Sequence, residues 1–177
     1  MTRTTVLPID VRFGDCDPAG IVFFPNFHRW MDASSLHFFL QCGVPPWHEL
    51  TPVNGIIGTP LLEHQARFVK AATYGQTIEI HTSVVEWRDK VFVHRHLVRR
   101  GDELLCEGTE TRAFCIRDPE DPKRIRAIRV PPEIRALCNV PDDLHLFVYI
   151  AVGYPERRFM PVKRKPVAEV LTWNRFA

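Results

Sequence analysis

The sequence contains few of the features that mark membrane, secreted or disulfide-stabilised proteins. Its longest apolar run, residues 146–154, is about half as long as a membrane-spanning helix, which needs about 20 residues. Residues 1–10 contain no apolar segment typical of a secretion signal. The 5 cysteines are odd in number and form no CxxC pair, which fits neither a zinc ribbon nor a disulfide framework. These absences favour a reduced, cytoplasmic protein without a membrane segment.

Glycine motifs and a strong charge of either sign are also missing. The 9 glycines form neither GxxxxGK[ST] nor GxGxxG, so a P-loop or a Rossmann site is not predicted. Lys and Arg total 23 against 21 Asp and Glu, and this balance gives no whole-chain argument for nucleic-acid binding. The basic excess lies in residues 155–177, where we expect a solvated end rather than a nucleic-acid or lipid surface.

What is present is the composition of a soluble globular domain with a helix-then-sheet pattern. Apolar residues make up 45% and charged residues 25% of 177 residues, which suits one domain. A long helix is predicted from Pro25, which suits a first turn, to a stop at Gly43. Its apolar residues cover more than one stripe, which predicts burial on nearly every side.

Strands are predicted around this helix. A first strand is expected at residues 5–13, and four more follow at 56–70, 76–88, 91–100 and 103–117. Short turn-like separators predict that neighbouring strands of the four pair as antiparallel hairpins, and residues 131–138 predict a short helix. The fold class is therefore α+β. We expect one domain at residues 1–139 and a basic, partly ordered C-terminal extension at 140–177, in which residues 140–150 are a candidate strand.

The densest candidate site is the loop DCDPAG at residues 15–20, just before the long helix. A helix N-terminus offers free backbone N–H groups and about half a positive charge. A carboxylate beside such donors suits acyl transfer, because the amides stabilise an oxyanion while the carboxylate attacks or activates water. Composition alone favours a simple surface turn, since Asp, Pro and Gly are common turn residues.

The segment FGDCDPAGIVFFPNFHRWMD resembles the opening of the hotdog-fold acyl-CoA thioesterases. The likeness continues through CGVPPW, GIIGTP, EWRDKVFVHRH and RIRAIRVPPE, over about residues 5–138, and indicates the aromatic acyl-CoA branch. The resemblance implies a curved antiparallel sheet wrapped around one long central helix. It also implies homodimers joined edge to edge into one sheet, paired again into tetramers, with sites between subunits.

The resemblance assigns roles to four residues. Asp17 corresponds to the catalytic carboxylate, as nucleophile or general base, and the backbone N–H of Phe24 to the group that polarises the thioester carbonyl. Relatives often have Tyr in place of Phe24. Asp32 matches the residue that recognises the ring hydroxyl of 4-hydroxybenzoyl groups, and Thr59 falls on the strand expected to line the neighbouring subunit's pocket. The alternatives are a surface pair of Asp32 with Arg29, at i,i+3 spacing, and an ordinary strand threonine.

Four basic residues match family positions that meet the nucleotide phosphates of coenzyme A. They are Arg88 and Lys90 in a turn between strands, and Arg124 and Arg126 after the last long strand. Guanidinium and ammonium groups suit phosphates in charge and geometry. Ordinary surface charge explains any one of these residues equally well, so only the four together support a phosphate site. Relatives often have a basic residue at the position of Asp89, which weakens this prediction slightly.

The remaining histidine and cysteine candidates give weaker support for a metal site or a catalytic role. His94 and His96 share one face of a strand, but no third ligand is evident nearby, so no metal site is predicted. Cys16 beside Asp17 has no histidine at a catalytic spacing and is expected to pack as a small thiol. His64 faces the expected pocket strand, where it either tunes acidity or packs.

The expected function is hydrolysis of an aromatic acyl-CoA, first of all 4-hydroxybenzoyl-CoA, with coenzyme A leaving as thiolate and no cofactor required. Two alternatives stay open. One is a thioesterase for short aliphatic acyl-CoA or acyl-carrier thioesters, and the other is a non-catalytic acyl-CoA-binding protein. The intact Asp17 argues against the second, because a pure binder needs no carboxylate near the thioester.

Overall fold

The central helix α1 spans Pro25–Gln41 in a computed structural model, which describes residues 3–139. Pro25 occupies its first position, where a missing N–H costs nothing, and Gly43 just beyond its end has φ of +83°. The predicted bounds are confirmed. Its burial is narrower than predicted, since Leu36 and Leu40 are 40% and 39% exposed. The helix buries one face against the sheet and leaves apolar side chains on the other.

The remaining elements are strands and short helices. Within residues 3–139 the strands are β1 (Thr4–Asp10), β2 (Ile56–Gly58), β3 (Leu61–Phe68), β4 (Thr77–Trp87), β5 (Val91–Arg100), β6 (Glu103–Ala113), β7 (Cys115–Arg117) and β8 (Ile125–Ala127). Helices α2 (Trp47–Asn54) and α3 (Pro132–Cys138) accompany α1, and one 3₁₀ turn spans Phe13–Asp15. The predicted extension at 140–177, with its candidate strand, lies outside the described residues.

The five long strands form one antiparallel sheet in the order β1-β4-β5-β6-β3, and β2-β7-β8 form a second, smaller one. The predicted hairpins β4–β5 and β5–β6 are confirmed. The predicted pairing of the strand at 56–70 with that at 76–88 is wrong, because β3 pairs with β6 and β4 pairs with β1.

The chain between β3 and β4 crosses the fold instead of turning back. Val69 donates its N–H to the carbonyl of Leu105 at 2.8 Å, beside β6, and Gly75 donates to the carbonyl of Val11 at 2.9 Å, beyond β1. Between these points the carbonyl of Ala72 accepts from the N–H of Val22 at 2.8 Å. The crossing segment therefore passes the loop that leads into α1.

Other elements also differ from the prediction. The strand predicted at 5–13 ends at Asp10, and the strand predicted at 103–117 is interrupted at Phe114. Helix α2 is not among the predicted elements. Pro46 is its N-cap, and Pro52 lies within it. The strand predicted over residues 56–70 is interrupted at Thr59 and Pro60, so that Ile56–Gly58 joins the smaller sheet. This break forms one wall of a cavity described below.

The core lies between α1 and the long sheet. Met31 is fully buried and lies against Gly108 of β6, where a Cβ would stand 2.7 Å from the Met31 Sδ. The second half of α1 packs Phe38 and Phe39 against Phe92 and Phe114. Within the described range, no helix combines the length and apolarity needed to cross a bilayer.

Candidate active site

Asp17 lies in a tight turn before α1. Its N–H donates to the carbonyl of Ile21 at 2.8 Å, and its own carbonyl accepts from the N–H of Gly20 at 2.9 Å. Gly20 has φ of +77°, which glycine adopts without strain. The side-chain Oδ1 of Asp17 accepts from the N–H of Ala19 at 2.8 Å. The carboxylate is thus held by its own turn, with its second oxygen available.

The same loop is fastened to the start of α1. The carbonyl of Asp15 accepts from the N–H of Phe23 at 2.9 Å and from the side-chain Nδ2 of Asn26 at 2.8 Å. The N–H of Phe24 donates to no acceptor among residues 3–139. The loop that carries Asp17 is therefore joined by hydrogen bonds to the start of α1.

A cavity of about 650 Å³ adjoins Asp17. Phe13 and Tyr74 line it, with ring centroids 5.8 Å apart in an edge-to-face contact. Phe24 and Phe68 line a different cavity of about 280 Å³.

Asp32 and Thr59 line one cavity of about 310 Å³, together with Leu36 and Trp47. Thr59 is buried and lies in the break after β2, not within a strand as predicted. Asp32 forms an ion pair with Arg112 of β6, so the alternative pairing with Arg29 is wrong. The structure brings the two predicted substrate-binding residues together around Arg112, which is not among the predicted site residues.

Arg112 is buried and contacts three separate groups through three nitrogens. Its Nε donates to Oε2 of Glu110 at 2.7 Å, one terminal nitrogen donates to the carbonyl of Thr59 at 2.9 Å, and the other donates to Oδ1 of Asp32. A guanidinium suits this role because its planar donors point in fixed directions. Arg112 and Glu110 are two apart on β6, where strand alternation places both on the inner face.

A buried polar cluster surrounds Glu110. Ser35 of α1 donates to Glu110 Oε2 at 2.8 Å, and its hydroxyl oxygen lies 2.6 Å from Nδ1 of His94. His64 lies 3.3 Å from Glu110 Oε1 and 2.6 Å from Nδ1 of His28. The sequence left His64 either tuning acidity or packing, and the structure places it in this chain of polar contacts.

The ionisation of this cluster follows from burial and from its neighbours. Burial alone would raise the pKa of the Glu110 carboxyl, but the neighbouring His96 and Arg112 outweigh burial and hold that pKa far below its ordinary value. Burial lowers the pKa of His94 well below 6.5, and His96 lowers it further. Glu110 is therefore an anion beside the Arg112 cation, and His94 is neutral.

Glu110 is also a possible third metal ligand beside His94 and His96, and the sequence did not reveal it. Donor atoms of the three residues lie within 4.8 Å of one another. The strand register places His94 directly opposite Glu110, which only the β5–β6 pairing discloses. Arg112 Nε already occupies Glu110 Oε2 and supplies the balancing positive charge. The arrangement thus fits a buried ion pair better than a cation site.

The predicted coenzyme A residues are exposed, in two places. Arg88 and Lys90 flank the β4–β5 turn, and Arg124 and Arg126 lie on or beside β8. Asp89 joins the two places: its carboxylate pairs with Nε of Arg129 at 3.1 Å and its carbonyl accepts from the N–H of Val130 at 2.8 Å. These two contacts give an acidic residue at this position a structural role.

The Asp17 cavity and the Asp32 cavity share no lining residue. One protomer therefore presents the predicted reaction chemistry and the predicted ring recognition in separate places. The roles of the eight predicted residues stay predictions.

Comparisons with known proteins show the family of this chain. The family model of the thioesterase-like superfamily matches residues 11–138. The chain is 45% identical to the 4-hydroxybenzoyl-CoA thioesterase of Pseudomonas sp. (strain CBS-3) over 144 residues, which are 78% of this chain and 100% of that protein. The chain belongs to the thioesterase-like superfamily.

Solved structures of thioesterases also superpose on this one. An aspartate-to-asparagine variant of 4-hydroxybenzoyl-CoA thioesterase, complexed with 4-hydroxybenzoyl-CoA, gives a TM-score of 0.72 at 42% identity, over 77% of this chain and 99% of that chain. A gentisyl-coenzyme A thioesterase gives a TM-score of 0.63 at 30% identity, over 76% of this chain and 98% of that chain. The predicted hotdog fold and the family resemblance are confirmed.

Proposed function

We propose that this chain hydrolyses 4-hydroxybenzoyl-CoA to 4-hydroxybenzoate and coenzyme A. The observation that carries the proposal is the loop that holds Asp17 by hydrogen bonds of its own turn and is fastened to the start of α1, where the N–H of Phe24 has no acceptor among residues 3–139. The 45% identity to a 4-hydroxybenzoyl-CoA thioesterase over that protein's full length supports the choice of substrate.

In the proposed mechanism, the N–H of Phe24 and the positive end of α1 polarise the thioester carbonyl. Asp17 then attacks the carbonyl carbon or removes a proton from the attacking water. The carbon–sulfur bond breaks and coenzyme A leaves as its thiolate. If Asp17 is the base, the attacking water gives 4-hydroxybenzoate directly. If Asp17 is the nucleophile, a mixed anhydride forms, and water then hydrolyses it to 4-hydroxybenzoate and the free Asp17 carboxylate. A thiolate is a good leaving group, so the proposed reaction needs no cofactor. The aspartate-to-asparagine variant complexed with 4-hydroxybenzoyl-CoA in a relative supports a carboxylate in this role.

The ring hydroxyl would be recognised by Asp32, with Thr59 beside it. Because the Asp17 and Asp32 cavities are separate within one protomer, we propose that each site combines Asp17 of one subunit with Asp32 and Thr59 of another. The exposed Arg88, Lys90 and their partners on or beside β8 would bind the nucleotide phosphates at the surface.

A dimer joined at β3 supplies such shared sites. In the part of the chain that the structure describes, β3 is a sheet edge without a second partner strand, and it exposes Leu61, Leu62 and Phe68. Unpaired apolar edges are templates for pairing with another chain. We propose an edge-to-edge homodimer and, from the family resemblance, a dimer of dimers. We also propose a cytoplasmic location, because an odd number of cysteines without a CxxC pair favours a reducing compartment.

The test is thiol release from a panel of thioesters: 4-hydroxybenzoyl-, 3-hydroxybenzoyl-, benzoyl-, phenylacetyl-, acetyl- and hexanoyl-CoA. We expect 4-hydroxybenzoyl-CoA to lead by about tenfold or more, which corresponds to about 1.4 kcal/mol. If the aliphatic thioesters are hydrolysed fastest, the proposed substrate is wrong but the proposed thioester hydrolysis stands. If intact thioesters bind and none is hydrolysed, the chain is an acyl-CoA-binding protein and not an enzyme.

A further inference from the structure

Both predicted substrate-binding residues, Asp32 and Thr59, contact one buried guanidinium. Arg112 holds the carboxylate of Asp32 through one terminal nitrogen and the main-chain carbonyl of Thr59 through the other. Its side chain is 7% exposed, whereas that of Asp32 is 67% exposed. A buried, immobile cation thus supports an exposed anion at the wall of the cavity.

Arg112 is itself held in place by Glu110. Its Nε donates to Glu110, and Glu110 is held in turn by the hydroxyl of Ser35 on α1. Helix and sheet are therefore both joined to the guanidinium. Breaking this buried pair by removing one partner would leave an uncompensated charge, so its position is strongly determined.

The consequence for Asp32 is orientation. An exposed carboxylate on a helix surface has several accessible rotamers, and ordering it costs free energy when a ligand binds. The charge-assisted hydrogen bond from Arg112 to Oδ1 selects one rotamer and leaves Oδ2 as an acceptor at the cavity. An oriented anionic acceptor favours a ring that bears a hydroxyl donor over a ring that bears hydrogen.

We propose that Arg112 is a positioning residue that sets the preference for hydroxylated aromatic acyl groups, acting through Asp32 and Thr59. This inference rests on the proposed function. Arg112 does not touch the reacting carbonyl in this proposal. It holds the acceptor and the adjoining main chain in the arrangement that recognises the ring.

The experiment compares kcat/KM for 4-hydroxybenzoyl-CoA with kcat/KM for benzoyl-CoA in wild type, Arg112→Lys, Asp32→Asn and the double variant. Lysine keeps the charge beside Glu110 but cannot make the three-way contact. We expect Arg112→Lys to reduce the preference about tenfold, as loss of one hydrogen bond to a charged group does, with the loss falling mainly on kcat/KM for 4-hydroxybenzoyl-CoA. In the Asp32→Asn background the same substitution should leave the preference unaltered, because the two residues act as a unit.

Arg95→Lys is the matched control, since Arg95 lies on the neighbouring strand and faces away from the buried Glu110. It should leave the preference intact. If Arg112→Lys does not fold, Glu110→Gln/Arg112→Gln removes both buried charges together and should show the same loss of preference. The inhibition constants of 4-hydroxybenzoate and benzoate give a second readout that is independent of turnover.

The possible failures are distinguishable. A folded Arg112→Lys that keeps the full preference, or that loses activity equally on both thioesters, overturns the positioning role. Wild type that hydrolyses both thioesters equally overturns ring recognition and leaves thioester hydrolysis in place. Wild type that hydrolyses no thioester overturns the proposed function and this inference with it.

Discussion

At the scale of single residues, the two aspartates differ in what holds them. Asp17 is held by main-chain N–H groups of its own turn, whereas Asp32 is held by a buried guanidinium from the sheet. The first arrangement leaves one carboxylate oxygen available on a loop that is fastened to the start of α1, which suits the proposed attack on a polarised carbonyl. The second leaves an oriented acceptor in a separate cavity, which suits recognition.

Asp17→Asn should fold and bind the thioester but turn over at least about 100-fold more slowly, since the amide neither attacks nor accepts the proton from water. The measurements are single-turnover thiol release and titration of 4-hydroxybenzoyl-CoA. Asp15→Asn is the control, because the Asp15 side chain only accepts from the N–H of Arg12 at 2.8 Å. Turnover of Asp17→Asn within tenfold of wild type would rule out the proposed role.

The sequence was sufficient for the Asp17 loop because its residues are local. Turn, glycine and helix start lie within ten positions, so their chemistry is visible in one segment. The partner of Asp32 was not visible, because Arg112 lies 80 positions away and reaches Asp32 only through the sheet. A local rule predicted Arg29 instead. Inward alternation on β6 was the available signal, since it places charged Glu110 and Arg112 on a buried face.

At the scale of elements, the close approach of α1 to β6 depends on a glycine. A Cβ at Gly108 would stand 2.7 Å from Met31 Sδ and 3.0 Å from the carbonyl oxygen of Gln65. Gly108→Ala should therefore destabilise the fold by about 1–3 kcal/mol, as overpacking does. Urea unfolding measures the change, and Gly14→Ala, with nothing within 4 Å of the added Cβ, is the control. Equal stability of both variants would contradict this view of the helix–sheet contact.

Most elements were predictable from periodicity, and their pairing was predictable only where turns are tight. The separators before β5 and β6 are short, and both hairpins follow. Residues 69–76 also contain turn residues, but their hydrogen bonds go to Leu105, Val22 and Val11 in different parts of the fold. Such long-range contacts decide the pairing of β3 with β6, and no local pattern encodes them.

At the scale of the whole molecule, buried histidines make stability depend on pH. His94 stays neutral in the folded state because burial, followed by His96, lowers its pKa well below 6.5, whereas the unfolded chain takes up the proton near 6.5. The pKa of His28 is also lowered, by burial and then by His64. The unfolded state then binds more protons, so the free energy of unfolding falls as pH decreases below about 6.5.

We expect a slope of up to about 1.4 kcal/mol per pH unit for each such histidine between pH 6.5 and 5.0. His94→Gln should reduce this slope, as measured by urea unfolding at a series of pH values. His48→Gln, at an exposed side chain, should not. Glu110 loses its contribution only below its ordinary pKa of about 4.5, outside this range. A free energy of unfolding that is constant or rises on acidification would contradict the buried neutral state of His94.

Activity should depend on assembly, because one protomer holds Asp17 and Asp32 in separate cavities. Leu62 on the β3 edge is 60% exposed, and Leu62→Lys adds a charge to that edge. We expect Leu62→Lys to fold and to have half the wild-type mass or less by light scattering. Its thiol release should fall at least about 100-fold, because the proposed shared site is lost. Val6→Lys, on the opposite edge strand β1, should keep the wild-type mass and activity. A monomeric Leu62→Lys that retains turnover would show that one chain completes the site by itself, and Asp32 would then have no part in it.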